Sequence, residues 1–185
     1  MTCIAAIVKD GRVFIGADSS GVSGSHLEVR ADEKVFVNGP FVIGFSSSFR
    51  MGQLLRYEFE PPPHEPSQSL ESYMVTVFIK AARRCLDVGG CLKRENSIES
   101  GGQFLVGTEG RLFSVDSDFQ VGMLHCAYDA IGSGHHLALG ALSILSRDKR
   151  LNPQRTLTTA LKVAESFCSE VRGPFVVRST KGRGK

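Results

Sequence analysis

Near its start the chain carries Thr2–Cys3–Ile4–Ala5–Ala6–Ile7–Val8, a run with no charge and no apolar–polar alternation. A strand with one wet face alternates; a strand apolar on both faces has to be covered on both. These residues are therefore predicted to form a strand between two layers. Lys9–Asp10–Gly11–Arg12 follows, and Asp-Gly between two apolar runs is a strong hairpin signal. Its partner is Val13–Phe14–Ile15–Gly16–Ala17, which ends at the acid Asp18.

A second hairpin reads Lys34–Val37, turn Asn38–Gly39–Pro40, then Phe41–Phe45. Helical spacing of apolar residues runs over 49–57 and stops at Pro61–Pro62–Pro63, where proline removes the donor that a helix needs. A second helical stripe covers Leu70–Leu86, and the polar, glycine-rich span 87–102 reads as a loop. Strands resume over 103–106 and 112–115, with an extended piece over 121–127. Helices follow from Leu137 to Leu145 and from Asn152–Pro153, an N-cap with first-turn proline, to Phe167; Phe175–Val177 closes as a strand. Strands, helices, strands, helices imply two stacked antiparallel sheets with helices outside, a four-layer α+β sandwich.

Length and composition exclude several classes. At 185 residues the chain forms one full domain, placed at 1–177, with a basic tail over 178–185. With 42% hydrophobic and 22% charged residues it is no disordered chain, and its apolar runs are too short to span a bilayer. No secretory leader is legible, and five cysteines without a CxxC pair point to reduced thiols and a cytoplasmic location. Five positive charges follow Glu170 with no acid among them. Nucleic-acid binding would have to rest on that tail, with one aromatic beside it, and a solvated terminus is the reading adopted.

Four features compete for chemistry. His135–His136 is adjacent in sequence, so the rings diverge by about 100° on a helix and do not make an i,i+4 metal pair; no metal or cofactor is expected. Gly132–Ser133–Gly134 opens like a dinucleotide loop, but Leu137 stands where the third glycine belongs. Cys3 lies inside an apolar strand and reads as packing. The fourth is Thr2. If Met1 is removed, Thr2 carries both a hydroxyl nucleophile and an α-amine with a pKa of about 7.7–8.0, so one residue supplies nucleophile and base. Such a site needs a buried cation, an acid to hold it, and amide donors for the oxyanion.

Thr2 through Asp18 and on to Glu33–Lys34–Val35 resembles the opening of proteasome β-subunits and the bacterial proteasome-like peptidase, with Asp18 sixteen residues after Thr2 and Lys34 sixteen beyond that. Ile43–Gly44–Phe45–Ser46–Ser47 is similar to the family's substrate-binding strand, and Ile131–Gly132–Ser133–Gly134 to its helix-leading Gly-Ser-Gly. The resemblance implies an N-terminal nucleophile hydrolase: Thr2 attacks, Lys34 held by Asp18 lowers the hydroxyl pKa, the Ser47 amide donates to the oxyanion, and Ser133 bonds near the threonine amine. It further implies a peptide added as a strand along Gly21–Val22 and Ser46–Ser47.

Two positions depart from the pattern. The family usually carries glycine at Ser47, and its downstream aspartate is replaced at Ser166, with Glu165 beside it as a second supporting candidate. The implied function is a threonine endopeptidase subunit of a self-compartmentalising complex that cleaves unfolded polypeptides. Its implied partners are homo-oligomeric stacked rings and a separate ATP-dependent unfoldase, since this chain has no P-loop. A catalytically inactive ring subunit and a non-peptide amidase on the same scaffold remain as alternatives.

Overall fold

The two apolar faces of the first strand are explained by its neighbours. In the computed structural model, which describes residues 2–96 and 98–182, β1 (Cys3–Lys9) pairs antiparallel with β2 (Arg12–Ala17) on one side and with β12 (Tyr128–Gly132) on the other. Cys3, Ala5 and Ile7 face a helical layer, packing with residues such as Ala138 and Leu142 of α4 (His135–Leu145) and Leu157 and Leu161 of α5 (Pro153–Phe167). Ile4 and Ala6 face the opposite way, into a core shared with Val42 and Leu105 of a second sheet.

That second sheet runs β11 (Val121–Gly122), β10 (Arg111–Val115), β9 (Phe104–Thr108), β6 (Phe41–Phe45), β5 (Val35–Asn38) in spatial order. Its outer face buries Phe41, Phe45, Phe104 and Phe113 against Leu54 of α1 (Phe49–Tyr57) and against Met74, Phe78 and Leu86. Three apolar cores thus separate four layers, helix–sheet–sheet–helix, as the element order implies. The sheets approach closely because Gly44 and Gly107 lack side chains: a Cβ there would lie 2.7 Å from Ile15 and 2.4 Å from Val13.

Several expectations need correction. The helix expected over Leu70–Leu86 is built as α2 (Leu70–Tyr73), a π-helical turn (Met74–Phe78) and α3 (Ile79–Val88). The span 87–102 is not all loop, since β7 (Lys93–Glu95) and β8 (Ile98–Ser100) form a hairpin tied to the helix by Arg94–Asp87 and Arg83–Glu99 ion pairs. Its charged side chains hide any strand pattern. A further hairpin, β3 (Ser20–Ser23) with β4 (His26–Val29), is not among the expected elements, although Ser23–Gly24 is a turn dipeptide and Gly24 takes φ +59° there. The extended piece expected over 121–127 is ladder-paired only at β11 before β12 begins at Tyr128.

The closing strand is β13 (Val176–Ser179), paired with β2, so the expected domain end at 177 falls inside a strand. Thr180 extends the contact, donating its amide to Val13 O while its hydroxyl oxygen accepts from Val13 N. The last three residues of the expected tail, 183–185, lie outside the described residues. Among the described residues no helix is long and apolar enough to cross a membrane.

Candidate active site

Strand register does most of the positioning. Pairing of β1 with β2 aligns Ile4 with Ala17, which sets Asp18 beside Cys3. Asp18 N donates to Cys3 O at 3.2 Å, and Cys3 N returns a bond to Asp18 Oδ1 at 3.0 Å. A carboxylate is thereby fixed one residue from Thr2. Lys34 enters from the second sheet, where its carbonyl accepts from Phe45 N as β6 ends. Its Nζ reaches across the inter-sheet space to Asp18 Oδ1 at 2.8 Å.

Lys34 and Asp18 are each 1% exposed, an uncommon location for opposite charges unless they are paired. Burial pushes the Lys34 ammonium below its ordinary value, while Asp18 pulls the other way; burial prevails. The second Asp18 oxygen accepts from Ser20 N at 3.1 Å, from the Ser20 hydroxyl, and from Arg172 N at 3.4 Å. The carboxylate cannot turn without breaking several bonds at once. One ring face environment is shared by two cations: Lys34 Nζ lies 5.7 Å, and Arg30 Cζ 4.1 Å, from the Phe49 centroid.

On the other side of Thr2 stands the turn between β12 and α4. Thr2 N donates to Ser133 Oγ at 3.3 Å, and Gly134 N donates to Thr2 O at 3.4 Å. Gly132 has φ +90°, and a Cβ on it would sit 2.3 Å from Thr2 O, so only glycine fits. His135 bonds the Gly132 carbonyl through Nδ1 at 2.6 Å, and the His135 and His136 rings touch in a tilted arrangement, centroids 3.8 Å apart and planes 37° from parallel. The histidine pair is thus a helix-start feature that braces the turn beside Thr2.

The structure brings Thr2, Asp18, Lys34 and Ser133 together: Ser133 bonds the Thr2 nitrogen, and Lys34 and Asp18 bond on to the amide of Cys3, covalently next to Thr2. Ser46 and Ser47 follow the strand whose last amide bonds Lys34; Ser46 N still donates to Gln103 O, and Ser47 turns out exposed with φ +78°. The left-handed backbone at Ser47 is one that glycine adopts without strain and other residues do not. Gly21 and Val22 lie on β3, whose edge away from β4 pairs with no strand among the described residues. Ser166 is not brought to the site: it is exposed, and its hydroxyl bonds the Lys162 carbonyl in its own helix.

Glu165 acts elsewhere than at the threonine amine. Its Oε1 accepts from Gly173 N at 2.9 Å, anchoring the segment whose Arg172 N and Glu170 O meet Asp18 and Ser20. Sequence reasoning missed that segment and the Ser19–Ser20 pair; Ser19 bonds Arg172 O and Pro174 O. The signal available was a pair of hydroxyls directly after an acid at a strand end. Cys3 is fully buried, and burial followed by the charge of Asp18 pushes its thiol up to about 12, so it stays protonated and inert.

No family model matches the sequence, and no curated protein matches it. Solved structures do. BPH from Thiobacillus denitrificans in complex with epoxomicin is 23% identical, with a TM-score of 0.80 over 97% of this chain and 98% of that one. Eukaryotic HslV from Trypanosoma brucei is 18% identical, with a TM-score of 0.69 over 98% and 100% of the two chains. Anbu, an ancestral β-subunit from Yersinia bercovieri, is 15% identical, with a TM-score of 0.66 over 97% and 81%. At these identities the likeness shows a shared fold and nothing finer: the four-layer sandwich described above is the fold of those solved structures.

Proposed function

We propose that the chain is a threonine peptidase subunit of the proteasome type, with Thr2 as nucleophile once Met1 is removed. The observation that carries the reading is the fully buried Lys34–Asp18 pair, whose carboxylate accepts from the amide of Cys3, the residue next to Thr2. A structural pair of this kind costs several kcal/mol in desolvation, and an apolar pair of similar volume would often serve stability as well. A cation beside a hydroxyl nucleophile gives the expense a purpose.

The chemistry follows from those groups. The freed Thr2 amine takes the hydroxyl proton, directly or through one water, while the Lys34 ammonium favours the alkoxide. The oxygen attacks the scissile carbonyl, and the Ser47 amide donates to the resulting oxyanion. Collapse expels the new N-terminal amine, protonated by the Thr2 ammonium, and leaves an ester on Thr2. Water, deprotonated by the same amine, then releases the acyl product.

A site that grips peptide backbone along β3 and Ser46–Ser47 accepts many sequences, which makes enclosure in stacked rings the fitting assembly, fed by a separate ATP-driven unfoldase. Five free cysteines fit a cytosolic setting. The test is hydrolysis of blocked peptides by the processed protein against Thr2→Ala. The proposal expects at least about a thousandfold loss with the oligomer intact. Full activity in the variant would end it. Cleavage of small-molecule amides alone would favour the amidase, and an uncleaved Met1 in assembled material the inactive subunit.

A further inference from the structure

A cavity of about 320 Å³ lies on one face of the β3–β4 hairpin, bounded by Gly21, Val22, Ser23, His26, Glu28, Arg30 and Phe49. The register explains why it is there. Gly21 stands opposite Glu28 and Ser23 opposite His26, so these four share a face, and Gly21 contributes no side chain to fill it. A Cβ on Gly21 would lie 2.8 Å from Arg30 Cδ and 2.9 Å from Glu28 Oε1.

The charges around this space are unequal. Arg30 is already engaged: its Nε and Nη2 hold the two Asp32 oxygens at 2.7 and 2.8 Å, its Nη1 holds Glu28 Oε1 at 2.9 Å, and it stacks on Phe49. Three of its five N–H groups are used, and two carboxylates already offset its single charge, so Arg30 has little net charge left to offer an incoming acid. Glu28 spends one oxygen on Arg30 while its side chain remains 50% exposed, and Asp32 adds a second negative charge. Asp32 lies outside the cavity's lining but engages Arg30, so the Glu28–Arg30–Asp32 ion cluster as a whole is net negative.

We infer that this cavity receives a side chain of the bound peptide and selects lysine or arginine there, with Glu28 as the specificity-determining residue. The inference rests on the proposed peptidase reading, because the edge of β3 away from β4, which pairs with no strand among the described residues, is where the peptide backbone would lie. A lysine or arginine stem crosses the apolar rim of Val22 and Phe49 and brings its charge to the free Glu28 oxygen. An acidic side chain meets the same carboxylate with no unengaged cation to answer it. Arg30 holds Glu28 in place through Nη1, and Gly21 keeps the entrance open.

Two measurements test it. Matched peptides that differ only in one side chain (Arg, Gln or Asp) are compared by kcat/KM in a single preparation, so that the ratio is independent of the active fraction. Binding of the same peptides to the Thr2→Ala variant is measured by calorimetry, which needs no chemistry. The expected order is Arg above Gln above Asp, with steps of about three- to fivefold, the size of a half-exposed ion pair, and smaller steps at high salt. Glu28→Gln shrinks the order and Glu28→Lys reverses it. Equal binding of all three peptides, or an order unmoved by Glu28→Lys, overturns the inference. If the binding order holds while no peptide is cut, the peptidase reading fails and this inference stands.

Discussion

Lys34 can be replaced only at a cost that identifies what it does. With Lys34→Met, Asp18 keeps its backbone donors but loses its counter-charge in a space 1% exposed. The expected destabilisation is about 3–5 kcal/mol, and the double variant with Asp18→Asn recovers part of it. Denaturant melts of the two single variants and the double check this; additive losses would mean that the pair is not coupled. Ser47 gives the opposite test. Its φ of +78° costs a non-glycine residue about 1 kcal/mol, so Ser47→Gly is expected to leave stability unchanged or raise it by that much. A clear loss in a thermal melt would mean that the serine side chain has a role of its own.

Residue identities at the site were legible because spacing survived: Thr2, Asp18 and Lys34 stand where the strand register needs them. The Arg172 amide was not legible, since its partner, Asp18, is 154 positions away in sequence; Ser20, two residues from Asp18, was within reach of a local reading. Glu165 was named only as a supporting candidate beside Ser166, and its contact with Gly173 N was not foreseen. A side chain's partner across a loop is a tertiary fact, and no local pattern carries it.

Among the elements, the turn from β12 into α4 is the most constrained. Gly132→Ala would push a methyl group into the Thr2 carbonyl, and the expected result is a loss of roughly 1–3 kcal/mol together with most of the nucleophile's reactivity. Comparison of its melting and its labelling by an electrophile with those of Ser133→Ala separates backbone strain from a lost side-chain bond.

The proline-rich segment after α1 is held differently. His64 places Nδ1 on Glu109 and Nε2 on the Gln68 carbonyl, both at 2.8 Å, and packs on the Tyr73 ring. Two acceptors favour the doubly protonated ring, and the Glu109 bond, then the Gln68 carbonyl, raise its pKa above 6.5, with Glu65 adding to the effect. A raised folded pKa stabilises below the unfolded value of about 6.5, and that contribution fades as pH rises through the folded value. NMR titration is expected to place the His64 midpoint above 6.5, and proteolysis within 60–68 to increase above that midpoint. A midpoint at or below 6.5, or proteolysis unchanged by pH, would contradict the clamp. The histidine contacts, like the hairpin β7–β8 with its charged strands, lay beyond what apolar periodicity could reveal.

For the molecule as a whole, the layer order was readable because buried strands and amphipathic helices carry different periods, and the three cores follow from those periods. Large apolar side chains left exposed on the outer helices, Ile144 at 69% and Phe167 at 78%, are expected to meet other subunits in the proposed rings. Ile144→Asp with Phe167→Asp should therefore lower the oligomer mass in light scattering while changing subunit stability by no more than about 0.5 kcal/mol each. An unchanged mass would move the subunit contacts elsewhere.

The central claim concerns one atom pair, the hydroxyl and the nitrogen of Thr2. A peptide epoxyketone offers two electrophilic carbons that a hydroxyl and an adjacent free amine can close into a ring, so the adduct reports both groups at once. Intact mass followed by peptide mapping is expected to show Met1 absent and a single adduct on the terminal Thr2, lost in Thr2→Ala. An adduct on Cys3 or elsewhere, or unmodified protein that cleaves peptides with Met1 still attached, would contradict the account.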